Sequence, residues 1–238
     1  MAPQVTTAPA LTDLLARHDI WRGRQTQGPG AAEIAHPSGW EALDALLGGG
    51  WPREGLMEVY SGRVPRPPVR RPLERLDETP LTHYRDWCRA SLGFGLTELL
   101  LPLLGRLTRE DGVVMVNPPA RPCAERWQRG GVRLDHLLIV EPRTSRELGW
   151  AIEEILRSGV YPLVLAWLPP LGFALRRRLK LAAEQGHSCL LSPFPVTPSS
   201  PASPAGQQLL VRRDDDRLAV QRLKPFWPQP VRLAADPG

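Results

Sequence analysis

The sequence predicts an α/β protein whose mainly parallel sheet is flanked by helices and finished by a C-terminal hairpin. Three observations predict it. Short apolar runs bounded by turn residues, such as Val113–Val116, Leu137–Val140 and residues 163–168, read as strands buried on both faces. Segments of helical period lie between those runs, and glycines close most of them. Alternation of this kind belongs to parallel sheets with helical crossovers.

Taken in order, residues 1–35 read as an N-terminal arm in which Trp21, flanked by Arg22 and Arg24, is either an anchor onto the core or a docking peptide. Ser38 is placed to cap a short helix with Glu41 returning the bond, Leu43, Leu46 and Leu47 give it an apolar face, and Gly48, Gly49 and Gly50 stop it. A strand over residues 56–60 follows. Ser61 and Gly62 then open a turn where a phosphate loop of the form G-x-x-x-x-G-K-[ST] would stand, but its Lys and its Ser/Thr are missing. Residues 63–92, rich in Pro and Arg, read as an insertion at that loop. Gly93-Phe94-Gly95 leads into an apolar helix reaching about residue 107. No Lys or Arg lies between Gly93 and Leu104 to meet phosphate, so this G-x-G reads as a tight turn before a buried helix. Ser61, Gly62, Gly93 and Gly95 together make a degenerate phosphate-loop region.

After Val113–Val116, a helix over residues 120–129 ends at Gly130-Gly131, and Leu137–Val140 is the next strand. Thr144 with Glu147 forms a capping box, Leu148, Ala151, Ile152 and Ile155 share one helical face, and Ser158-Gly159 ends the helix. A strand over 163–168, a helix over 174–185 stopped by Gly186, a strand over 188–192 and a Pro/Ser-rich loop over 193–206 follow. Strands over 208–212 and 218–223 flank the turn Asp214-Asp215-Asp216, and residues 225–238 read as an extended, mobile tail.

Composition sets further bounds. The chain has 238 residues, 42% of them hydrophobic, enough for one well-buried domain. No apolar run approaches the ~18 to 20 residues of a membrane span, and the N-terminus lacks the pattern of a secretory signal. Cys88, Cys123 and Cys189 are scattered, which argues for reduced thiols in a cytoplasm rather than disulfides or zinc. The net charge of +5 comes from the last third, where residues 170–238 carry ten Lys and Arg against five Asp and Glu. Arg176, Arg177, Arg178 and Lys180 on the predicted helix, with Arg212, Arg213, Arg222 and Lys224 on the hairpin, are therefore the candidates for contact with DNA or an acidic partner; an ordinary solvated basic face accounts for them equally well. Five scattered histidines and the adjacent pair Glu153-Glu154, expected to face solvent, offer no catalytic arrangement.

The order of segments over residues 36–224 resembles a RecA-type ATPase core. Ile20-Trp21-Arg22-Gly23-Arg24, Leu47-Gly48-Gly49-Gly50-Trp51-Pro52-Arg53 and Glu98-Leu99-Leu100-Leu101-Pro102 begin a series of phrases similar to the ImuA family, RecA-like and SulA-related proteins of bacterial error-prone repair cassettes. Asn117-Pro118-Pro119-Ala120-Arg121-Pro122, Leu156-Arg157-Ser158-Gly159, Leu165-Ala166-Trp167, residues 179–186 and Arg222-Leu223-Lys224 continue it. The resemblance implies a cytoplasmic accessory role in SOS-induced translesion synthesis. The implied partners are an ImuB-like Y-family polymerase homologue, an error-prone C-family DNA polymerase and, as a further candidate, RecA. Residue chemistry implies no catalysis and no cofactor: the phosphate-loop Lys and Ser/Thr are absent, no carboxylate lies between Val113 and Pro122, and Trp167 stands where a magnesium-binding Asp would close the strand. Two rivals remain, a SulA-type inhibitor of the tubulin-like division ring and a weak nucleotide hydrolase with an unrecognised loop.

Overall fold

A computed structural model describes residues 35–61, 72–90, 95–194, 203–214 and 217–233. The arm residues Trp21, Arg22 and Arg24, and the loop glycines Gly62 and Gly93, lie outside the described residues.

The described part of the chain opens with β1 (Ala35–His36), α1 (Glu41–Leu47), β2 (Trp51–Pro52) and β3 (Gly55–Tyr60). It continues through α2 (Thr82–Ala90), α3 (Leu96–Glu110), β4 (Val113–Val116), α4 (Ala124–Arg129), β5 (Leu137–Val140), α5 (Ser145–Ser158), β6 (Leu163–Ala166) and α6 (Phe173–Gln185). It ends with β7 (Cys189–Phe194), β8 (Gln207–Asp214), β9 (Arg217–Lys224) and β10 (Val231–Leu233). Eight strands form one sheet in the order β10-β9-β8-β3-β7-β6-β4-β5. Strands β3 to β8 are parallel to one another, and only β9 runs against them. The fold is thus a mixed α/β sandwich with a large, mostly parallel sheet between helices.

Side-chain alternation along β3 explains why it occupies the middle. All six of its residues are buried. Met57 and Val59 enter the apolar layer shared with α1, α3 and α4, whereas Leu56 and Tyr60 enter the opposite layer shared with α5 and α6. A strand that is apolar on both faces loses exposed surface only when helices cover both sides.

The element ends depart from expectation in instructive ways. Ser38 does not cap α1: Trp40 is the N-cap residue, and the Ser38 hydroxyl is used inside its own turn, donating to the Trp40 carbonyl at 3.0 Å. Asp44, not Glu41, returns the bond, accepting from the Ser38 amide at 2.7 Å. The expected helix over 120–129 shortens to α4, because Pro122 precedes it. The tail expected to be mobile instead adds β10 beside β9, with Leu233 buried beneath α1 and the sheet. Thr144 caps α5 as expected, its hydroxyl accepting from the Glu147 amide at 3.3 Å.

Helices α5 and α6 meet through two glycines. Gly159 closes α5 in the left-handed region at φ 64°, and a Cβ on Gly186 would stand 1.7 Å from the Leu156 carbonyl oxygen. The obstacle is backbone, so a side chain there must push the helices apart. Gly186→Ala should lower stability by about 1–3 kcal/mol, read from the midpoint of urea unfolding.

Candidate functional site

Ligands of open α/β sheets bind outside the carboxyl ends of the strands. Here that edge is tied up by the protein's own polar groups. At the end of β4, Asn117 adopts a left-handed conformation, φ 55°, a region an Asn tolerates better than most residues. Its Nδ2 donates to the Trp167 carbonyl at 2.9 Å, and its Oδ1 accepts from Arg85 Nε of α2 at 3.1 Å. The same guanidinium donates to the Pro142 carbonyl at 2.9 Å, while Arg89 Nε donates to the Pro119 carbonyl at 3.0 Å. The Tyr84 hydroxyl donates to the Leu168 carbonyl. Helix α2, from the segment read as an insertion, therefore straps the ends of β4, β5 and β6.

The degenerate phosphate-loop positions fit the same picture. Ser61 is buried, and its amide donates to the Phe194 carbonyl at 3.0 Å. Gly95 begins α3 at φ 92°, and a Cβ there would stand 2.1 Å from Leu218 Cδ2 of β9. Its lack of a side chain is a requirement of backbone conformation and packing. The first turn of α3 carries Glu98, whose carboxylate meets Arg126 at 2.8 Å and Arg213 at 3.1 Å. The positive end of the helix is thus already answered by a carboxylate. Beside it lies a cavity of about 280 Å³ lined mainly by apolar groups, among them Leu100, Leu104, Met115, Trp127 and Trp167, with Cys123 at its edge. Such a lining suits an apolar side chain better than a triphosphate.

The basic candidates do not gather on one surface. Arg176 is largely buried and pairs at 3.1 Å with the fully buried Glu58 of β3. Glu58 also accepts from Tyr60 at 2.7 Å, Ser203 at 2.9 Å and Gln208 at 2.6 Å. Burial, with the Glu58 carboxylate adding to it, pushes the Tyr60 phenol well up, so it remains a neutral donor. Arg178 pairs with Glu153, and Lys180 with Glu184 at 3.4 Å. Arg213 reaches Glu98 of α3 on the other face of the sheet, whereas Lys224 Nζ donates to the carbonyl of Ser203, a residue of the Glu58 cluster, at 2.7 Å. Arg222 stacks over Trp227 at 5.6 Å from the ring centroid. Only Arg177 and Arg212 of the eight are exposed and make no ion pair among the described residues.

Sequence reasoning missed both acidic anchors. Glu153 does not face solvent as expected: its side chain is 7% exposed and holds Arg178 and, at 3.5 Å, Arg157. Glu58 could have been found, because a lone carboxylate inside the otherwise apolar run GLMEVY needs a buried cation or donors. Among the described residues no three His, Cys, Asp or Glu side chains converge as metal ligands, and no helix is long and apolar enough to cross a membrane.

Residues 93–189 match the family model described as the cell division inhibitor SulA. The chain is similar to cell division inhibitor SulA of Edwardsiella piscicida, 35% identical over 105 residues, covering 42% of this chain and 62% of that protein. SulA of Serratia marcescens is 31% identical over 94 residues, covering 39% of this chain and 56% of its own. The chain therefore spans less than two thirds of the length of these relatives. Among solved structures, SulA from Pseudomonas aeruginosa is 29% identical with a TM-score of 0.36, covering 40% of this chain and 83% of that one. The matched segment holds α3 to α6; strands β3 and β8 to β10 lie outside it.

Two predictions follow from this geometry. Arg176→Met alone strands the Glu58 carboxylate and should cost about 3–5 kcal/mol; adding Glu58→Gln should recover part of the loss, both read by urea unfolding. Burial pushes the Cys88 and Cys189 thiols up to about 12, whereas Cys123 is exposed. Iodoacetamide at about pH 8, near the ordinary thiol pKa, should therefore label native protein at Cys123 alone, as mass spectrometry would show.

Proposed function

We propose that the chain is a catalytically inactive, RecA-like accessory protein of SOS-induced translesion synthesis, acting by binding other proteins. The observation that carries the non-catalytic part is the strap: α2 ties down the carboxyl ends of β4, β5 and β6, on the edge where ligands of open α/β sheets bind. At the head of α3 the positive end of the helix is already met by the protein's own Glu98 carboxylate, itself held by Arg126 and Arg213. Without a lysine, a magnesium ligand or a carboxylate for water, the electrostatic stabilisation that phosphoryl transfer depends on is missing. Support for a RecA-like core comes from the central placement of β3, the six parallel strands and the helices on both faces. Its partners on this reading are an ImuB-like Y-family polymerase homologue and an error-prone C-family polymerase, with RecA a third.

A second reading, inhibition of cell division, is favoured by the similarity of residues 93–189 to SulA. Against a minimal inhibitor stands the size of the remainder: β3 and β8 to β10 extend the sheet well beyond the matched segment. Paired assays separate the two. On the main reading, deletion abolishes damage-induced mutation, the protein co-purifies with the ImuB-like partner, and overproduction leaves cell length unchanged. Filamentation on overproduction, with mutation frequency unaffected by deletion, would establish division control instead. Purified protein should show no magnesium-dependent, DNA-stimulated ATP hydrolysis above background; such turnover would overturn the non-catalytic reading.

A further inference from the structure

Helix α6 covers the sheet with Leu179, Ala182 and Ala183, all buried. Its outer side is unusual for a solvated helix. Phe173 and Leu181 are 51% and 52% exposed, and with the exposed Arg177 between them they follow the i, i+4, i+8 spacing of one helical stripe. A shallow groove runs alongside, lined by Phe173, Arg177, Arg178 and Leu181 together with Arg157 at the end of α5.

Charge on this groove is organised by one buried acid. Glu153 holds Arg157 and Arg178 at once, and each of those arginines still keeps about half of its side chain in solvent, 46% and 55%. Three guanidinium groups against one carboxylate leave the groove with a local excess of two positive charges. Two of them are held in place by Glu153, so little rotamer freedom is lost when they meet a ligand.

We propose that this groove docks an acidic amphipathic helix of a partner protein, which sets its carboxylates on Arg177, Arg157 and Arg178 and its apolar side chains on Phe173 and Leu181. Eight helical residues separate the two apolar anchors by about 12 Å, a span matched by apolar residues two turns apart on the incoming helix. Charge-assisted hydrogen bonds from arginine to carboxylate supply direction, and the half-exposed Phe and Leu supply burial. Nucleic acid fits less well, since the two apolar anchors on the stripe of Arg177 gain nothing from phosphate. The inference stands apart from the choice between mutagenesis and division control, since it concerns the chemistry of the partner and not its name.

A fluorescein-labelled helical peptide of roughly 18 residues, five turns long, with two leucines two turns apart and glutamates between them, serves as the probe for the full chain. It should bind in fluorescence anisotropy. The same peptide with Gln for every Glu should bind at least about tenfold more weakly, the effect of losing one or more charge-assisted hydrogen bonds. Arg177→Ala should weaken the acidic peptide by about the same factor, and Phe173→Ser with Leu181→Ser should abolish binding while thermal melting is unchanged. Equal binding of the two peptides, or none by either, would overturn the proposal. So would a single-stranded DNA oligonucleotide whose binding, unlike the peptide's, is lost in Arg177→Ala, or a dimer in sedimentation that Phe173→Ser with Leu181→Ser dissociates, since the groove would then belong to DNA or to a second copy.

Discussion

The buried contact between Glu58 and Arg176 is the constraint on which the arrangement of the sheet and its outer helices depends. Glu58 sits on the central strand with no exposed surface, and an ionised carboxylate in such a place is tolerated only with a cation and donors around it. Arg176 brings α6 down onto β3. Tyr60, Ser203 and Gln208 complete the shell, so the stretch entering β8 is drawn to the same point as the helix that precedes β7. Because β8 is next to β3 and carries β9 and β10, the placement of the whole C-terminal hairpin hangs on satisfying one charge.

A second consequence follows at the opposite layer and at the strand ends. With α1, α3 and α4 covering one face and α5 and α6 the other, the carboxyl edge is the natural opening of the sheet. Helix α2 closes much of it through side chains aimed at backbone carbonyls of Asn117's neighbours, Pro119, Pro142 and Leu168. Each of those carbonyls accepts a hydrogen bond from the protein itself. What remains beside the edge is an apolar cavity between Trp127 and Trp167, an environment for packing rather than for phosphate chemistry. The groove proposed for docking lies apart from this edge, on α6, where arginine and apolar side chains meet solvent together.

The strands were the most legible part of the sequence. Val113–Val116 and Leu137–Val140 are found with the bounds expected, and the strands expected over 163–168 and 188–192 shift by one or two residues at their ends. Continuous apolar runs between turn residues leave little alternative to a buried strand. Glycine stops and the Thr144 cap were equally readable, since each depends on chemistry within one turn. The cap of α1 was misread because Ser38, Glu41 and Asp44 all satisfy a local pattern, and the choice among them is made by where Trp40 must be buried. The candidate site was half legible: missing lysine and carboxylates were visible as absences, but the strap that replaces them was not.

The sequence by itself determined the class of fold, the bounds of most buried strands and the absence of a phosphate-loop motif with its Lys and Ser/Thr, because each rests on residues close together in the chain. Tertiary structure alone decided which charges are structural and which are available. Arg176, Arg177 and Arg178 are consecutive and identical in type, yet one is paired with Glu58 from 118 residues away, one with Glu153 from 25 away, and the third meets solvent. Successive residues on a helix point about 100° apart, so neighbours in sequence face different surroundings, and only the packing of α6 against β3 and α5 assigns each its partner.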